Sequence, residues 1–272
     1  MKKQLGLIIE PQDLAAVMGD PELLIVDICS PQNWVRNHVH GAVHVSPAEL
    51  VSGVPPATGK LPSVERLQAM LGRIGYTPQK HIVVYDDEGG GWAGRFIWTL
   101  DVIGHKHYSY LNGGLHAWYK EQHAVDAEVI EVEPTHVEIT LDSSVIAELD
   151  TVKAALGNAN IKIWDARSAE EYAGAKSSSA RAGHIPGAVN LDWLDTMDHA
   201  RNFRLLPREI LQQKLSKLGI NPGNEIITHC QTHHRSGLTY LAAKALGYKV
   251  KAYHGSWGEW GNLYDTPIEM LA

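Results

Sequence analysis

Cysteine is nearly absent. The 272-residue chain holds two, Cys29 and Cys230, so no disulfide framework braces it and a reducing compartment is expected. An excess of positive charge is missing as well: the net charge is -7 and the pI is near 6.1, which excludes a general nucleic-acid binder and a protein held to anionic membranes. The first ten residues begin with Met1-Lys2-Lys3, but their apolar run is too short for a signal sequence and is cut by Glu10 and Pro11, so a cytoplasmic protein is expected. Metal-binding clusters are scarce too. His229, Cys230, His233 and His234 are possible ligands, yet His229 and Cys230 would point to opposite sides of a strand end and no second cluster supplies carboxylate or thiolate. Neither a metal nor an organic cofactor is expected. What remains, 44% hydrophobic and 20% charged residues, is ordinary for a globular protein and enough for two modest domains.

An internal repeat organises those residues. A helix-like Pro11–Met18 followed by the strand-like Leu23–Asp27 returns as Leu149–Leu156 and Ile161–Asp165, with Asp27 and Asp165 138 positions apart. His38-Val39-His40-Gly41-Ala42-Val43 returns as His184-Ile185-Pro186-Gly187-Ala188-Val189 at a spacing of 146, so the second half carries an insertion within residues 173–182, whose composition predicts a flexible surface loop. The helical stretch 63–72 and the buried strand Ile82–Asp87 answer 208–215 and 225–230; Asp87 and Cys230 are 143 apart, as are Gly104 and Gly247. Strands alternating with helices predict α/β halves, each a parallel sheet with helices on both faces. The Pro- and Glu-bearing stretch between them reads as a connector, giving an N-terminal domain over 1–124, a linker over 125–141 and a C-terminal domain over 142–272.

The chemistry falls in one half. Ile226-Ile227-Thr228-His229-Cys230-Gln231-Thr232-His233-His234-Arg235-Ser236-Gly237 reads as a strand, a tight loop headed by cysteine and the start of a helix that stops at Gly247. Loop N–H groups and the helix N-terminus converge near the sulfur, and Arg235 with His233 or His234 adds positive charge, a setting that lowers a cysteine pKa from about 8.5 to roughly 3.5–7.5. A buried hydrophobe is the ordinary reading of a lone cysteine, but five polar residues and a serine follow this one. The equivalent stretch of the first half, Asp87-Glu88-Gly89-Gly90-Gly91-Trp92, is acidic and cannot form a sulfur nucleophile. The first half is therefore expected to be inactive, and Cys29 to be a buried or incidental thiol.

The duplicated halves, Gly183–Ala188, Asp165, the loop Cys230–Arg235 and the run Gly255-Ser256-Trp257-Gly258-Glu259-Trp260 together resemble a tandem rhodanese, a thiosulfate sulfurtransferase, over essentially the whole chain. The Cys-Gln-Thr-His-His-Arg loop is itself similar to that of a bacterial rhodanese. The resemblance implies a Cys230 persulfide that takes sulfur from thiosulfate and gives it to cyanide or to a thiol such as glutathione or thioredoxin. It also implies an active-site loop of Gln231, Thr232, His233, His234, Arg235 and Ser236, with Arg181 and Trp257 as further substrate contacts.

Related chemistries set the alternatives. 3-Mercaptopyruvate sulfurtransferases share the fold but have a short loop of small residues; this loop is bulkier and cationic, which favours a dianionic donor, whereas vertebrate-type thiosulfate enzymes carry Arg and Lys where Gln231 and Thr232 stand here. A cysteine-based phosphatase or arsenate reductase has Cys-x5-Arg; here Cys230 to Arg235 is Cys-x4-Arg, a tighter loop suited to one sulfur atom. Delivery of the persulfide to a partner protein uses the same residues. Asp165 is read as fixing its turn or pairing with Arg167, Trp257 and Trp260 as walls or packing, and Glu259 as orienting a loop donor. A monomer is expected, because the duplication already supplies a domain interface.

Overall fold

In the computed structural model, residues 5–271 are described; residues 1–4, with the two lysines of the N-terminal stretch, and residue 272 lie outside them. The first half runs β1 (Ile8–Ile9), α1 (Pro11–Ala15), β2 (Leu23–Asp27), α2 (Pro31–Trp34), β3 (His38–Val39), β4 (Ala42–His44), α3 (Val64–Arg73), β5 (His81–Tyr85), α4 (Gly91–Val102), β6 (Tyr108–Leu111) and α5 (Gly114–Lys120). β7 (Val125–Asp126) pairs back onto β3, and residues 127–142 then carry neither helix nor strand. The second half follows as β8 (Ile146–Ala147), α6 (Leu149–Ala155), β9 (Ile161–Asp165), α7 (Ala169–Ala173), β10 (Val189–Asn190), β11 (Met197–Asp198), β12 (Arg204–Leu205), α8 (Arg208–Lys217), β13 (Glu225–His229), α9 (Arg235–Leu246), β14 (Lys249–Tyr253) and α10 (Ser256–Trp260).

The two sheets have one topology. The first is ordered β1-β6-β5-β2-β4 and the second, read from its far edge, β8-β14-β13-β9-β10, all parallel. The central strands are apolar on both faces because both faces are covered. In β5, Ile82 and Val84 face one core while Val83 and Tyr85 face another; in β13, Ile226 and Ile227 divide the same way. Local signals place the helices. Ser63 caps α3 by accepting the Arg66 N–H, and Leu67, Met70 and Leu71 repeat at helical spacing into the core. Gly247 ends α9 in a left-handed conformation at φ 88°.

One core is shared between the halves. Phe96, Ile97 and Leu100 of α4 pack in the same cluster as Leu238, Leu241 and Ala242 of α9. The two helices meet at Gly94 and Gly237: a Cβ on Gly94 would lie 2.3 Å from the Gly237 carbonyl oxygen, and one on Gly237 2.3 Å from that of Gly91. Nothing larger than glycine fits. Gly94→Ala is therefore expected to lower the urea midpoint by about 1–3 kcal/mol of stability, although alanine favours a helix. An unchanged midpoint would mean that the crossing can open. Asp101 of α4 closes the far end of this contact, accepting from Tyr108 Oη at 2.7 Å, Tyr240 Oη at 2.8 Å and Lys244 Nζ at 2.7 Å.

Candidate active site

β13 ends at His229 and α9 begins at Arg235, so Cys230–His234 must turn the chain. His233 makes the turn with a φ of 55°, a left-handed conformation unfavourable for a non-glycine residue and sustained only by its surroundings. Its ring is fully buried, edge-on to Trp98 at 4.6 Å, with Nδ1 2.7 Å from Ser236 Oγ. The loop is held from the α10 side as well. Trp257 N–H donates to the Cys230 carbonyl at 2.9 Å, Gly258 N–H to that of Gln231 at 2.8 Å, and Cys230 N–H to Ser256 Oγ at 3.4 Å. Gln231 Nε2 donates to Ser179 Oγ at 3.0 Å, and Ser179 Oγ in turn to the Trp257 carbonyl. The inserted segment that composition marks as a flexible loop is thus fastened to the site through Ser179, a residue with no signal in the sequence.

Cys230 is 1% exposed. Burial pushes its thiol up, but Arg235, the Ser236 hydroxyl and N–H, and His234 outweigh that and leave it below the ordinary thiol value. Ser236 Oγ donates to Sγ at 3.5 Å. Burial also drives His233 well below the usual imidazole range, so this ring is neutral. With Ser236 donating to sulfur, His233 must carry its proton on Nδ1 and donate it to Ser236 Oγ, which orders imidazole, hydroxyl and sulfur in one chain. His229, buried and likewise lowered by burial, sits with Nε2 3.6 Å from Asp165 and Nδ1 3.2 Å from the Cys230 carbonyl.

The cationic pocket expected from the sequence is largely neutralised. Arg235 is bound by both oxygens of Glu171, at 2.6 and 2.9 Å; His234 contacts Glu88 of the first half and stacks on Trp92 at 4.3 Å. Arg167 forms a buried pair with Asp165 and lies 4.3 Å above the Trp257 ring. Trp257 is fully buried; its ring supports Arg167 and its backbone N–H holds the loop. The C-terminal segment captures the Arg181 guanidinium, with carbonyls of Trp260 at 3.0 Å and Thr266 at 2.9 Å and further bonds to Leu263 and the Thr266 hydroxyl. Glu259 pairs with Lys60 at 2.7 Å and orients no loop donor. Glu171 was nonetheless legible, since Ser168-Ala169-Glu170-Glu171 has the pattern of a capping box directly after the β9 turn.

The first half shows what the same loop does without cysteine. Asp86 Oδ1 accepts the N–H groups of Glu88, Gly89 and Gly90 at 3.2, 3.1 and 2.8 Å, and Oδ2 that of Ala93 at 2.9 Å. A carboxylate fills the cradle. β5 pairs Tyr85 with Asp27 and β13 pairs His229 with Asp165, so Asp86 stands in the place of Cys230, one residue before the Asp87 that the 143-residue spacing selects. In the second half no N–H from Gln231 to Arg235 donates to a carbonyl among the described residues, and that of Ser236 serves Sγ.

Both halves match the family described as Rhodanese-like domain, over residues 10–121 and 148–263. The chain is 52% identical to a thiosulfate sulfurtransferase of Pseudomonas aeruginosa and 51% identical to one of Azotobacter vinelandii, in each case over 98% of this chain and 98% of the relative. It superposes with a TM-score of 0.82 and 27% identity on the crystal structure of a 3-mercaptopyruvate sulfotransferase, SseA from Escherichia coli, covering 93% of this chain and 99% of that one. The repeat, the shared sheet topology and these matches agree: the chain belongs to the rhodanese family, with one rhodanese-like domain in each half.

Proposed function

We propose that this protein is a thiosulfate sulfurtransferase whose Cys230 carries the sulfur in transit. The thiolate attacks the outer sulfur of thiosulfate, the bond between the two thiosulfate sulfurs breaks, and sulfite leaves with the electron pair, giving a Cys230 persulfide anion. Cyanide or an acceptor thiolate, such as glutathione or thioredoxin, then takes the terminal sulfur as thiocyanate or a new persulfide and restores the thiolate. The observation that carries this reading is the cradle: loop N–H groups enclose the Asp86 carboxylate in one half, and in the other those of Gln231 to Arg235 donate to no carbonyl among the described residues, so they would hold the terminal sulfur of the persulfide. Arg235, Ser236 and His234 favour the thiolate, while Gln231, Thr232 and His233 shape the loop. Residues 142–272 would be the catalytic half and 125–141 the linker; in 1–124 a carboxylate takes the place of the sulfur, Asp86 by sheet register where the 143-residue spacing points to Asp87.

Thiosulfate is favoured over 3-mercaptopyruvate by relatives: those at 52% and 51% identity are named for the first donor, those at 28% and 27% for the second. The test is intact-protein mass spectrometry with thiosulfate. The expected result is a gain of one sulfur, about 32 Da, mapped to the Cys230 peptide and removed by cyanide with release of thiocyanate. No adduct with thiosulfate or with 3-mercaptopyruvate would overturn the persulfide route.

A further inference from the structure

The two arginines packed against the cysteine site from its own half each have a carboxylate: Arg235 has Glu171 and Arg167 has Asp165. Arg95 does not. It belongs to α4 of the half whose loop has no cysteine, it is fully buried, and among the described residues it meets only carbonyls and a ring. Nη1 donates to Gly59 at 2.7 Å and to His233 at 3.5 Å, Nη2 donates to Leu50 at 2.7 Å, the Trp98 ring lies 4.7 Å away, and Nε has no partner. Gly59 in turn rests on the cysteine loop, since a Cβ there would be 2.1 Å from the Thr232 carbonyl oxygen.

We propose that Arg95 is a positioning residue for Cys230, supplied across the domain interface: its fork locks residues 50–59 and the His233 carbonyl against the loop, and its unpaired buried charge favours the thiolate. A buried guanidinium without a counter-ion is unfavourable, and the anion that offsets it here is the thiolate of the loop it supports. Burial pushes Arg95 down to about 9, still a cation at neutral pH, and Cys230 pushes it back up. The other ionisable groups facing Arg95, His233 and His254, are held below the usual imidazole range by burial and add no counter-charge. Arg235 exerts the larger pull on the thiol, but Glu171 sits on it. The catalytic half thus needs its inactive partner for charge as well as for packing.

The proposal rests on Cys230 as the sulfur carrier, and its test separates the two. Arg95→Gln and Arg95→Lys are compared with wild type by pH-dependent iodoacetamide alkylation of the Cys230 peptide, by kcat/KM with thiosulfate, and by melting temperature. Arg95→Gln is expected to raise the alkylation midpoint by about one pH unit and to lower kcat/KM between about tenfold and a hundredfold. Arg95→Lys keeps the charge and is expected to hold the midpoint while losing part of kcat/KM, because an ammonium cannot bridge Gly59 and Leu50. A folded Arg95→Gln that still forms the 32 Da adduct but has an unmoved midpoint overturns the role of Arg95 and leaves the persulfide reading intact. If Arg95→Gln does not fold, Arg95→Lys decides alone: a raised midpoint or wild-type kcat/KM counts against the proposal.

Discussion

Cys230→Ser is expected to melt within a degree or two of the wild type and to lose thiosulfate-to-cyanide transfer by at least about a thousandfold. The hydroxyl fits the same buried space and can still accept from Ser236, so the loop has no reason to rearrange. What it cannot do is ionise at neutral pH or form a sulfur–sulfur bond. Cys29 offers no substitute. It is fully buried in the first half, and burial, then Asp27, Asp87 and Asp86, push its thiol well up, so Cys29→Ser is expected to retain full transfer. Thiocyanate formation by the two variants, with melting curves beside it, checks both statements. Transfer by Cys230→Ser within tenfold of wild type would sink the assignment of the nucleophile.

Reading this chain from sequence succeeded where the signal is local or periodic. The runs Ile82–Tyr85 and Ile226–Thr228 announce strands because a buried parallel strand needs no polar alternation, and Gly247 announces a helix end because only glycine adopts its conformation freely. The 143-residue spacing went further and marked the cysteine loop as the point where the halves diverge. It also relates Gly94 to Gly237, but the reason for two mid-helix glycines is a backbone contact that exists only after both halves fold. The charge at the loop is legible in part: Arg235 and His234 lower the thiol as the sequence predicts, but their carboxylate partners are set by the fold. Arg235, His233 and His234 form a basic cluster in sequence, whereas Glu171 comes from the turn after β9 and Glu88 from the other half. Arg181 lies close to the site in the repeat and is held by carbonyls some eighty residues on.

Arg235→Gln is expected to combine a large loss of activity with a pH-dependent loss of stability. Arg235 is the strongest cation acting on Cys230, so its removal raises the thiol toward the value burial alone would impose, and the rate-versus-pH curve moves to higher pH. At pH 7 the expected fall in kcat/KM is about a hundredfold. The same change strands Glu171, which is only 11% exposed and whose carboxyl burial raises and Arg235 lowers, the net direction in the wild type being down. A lowered folded-state pKa stabilises above the unfolded carboxylate value and is lost as the pH falls through the folded one; in the variant the direction reverses, and the ionised Glu171 becomes a penalty above its raised pKa. Arg235→Gln is therefore expected to be less stable by about 2–4 kcal/mol at pH 7, with the gap to wild type closing as the pH approaches about 4. Adding Glu171→Gln removes the stranded charge, so the double variant is expected to regain most of the stability and none of the activity. Urea unfolding at both pH values and thiocyanate assays on both variants measure this. If activity returned along with stability, Arg235 would act only by holding the α7 turn, and the thiolate would owe it nothing.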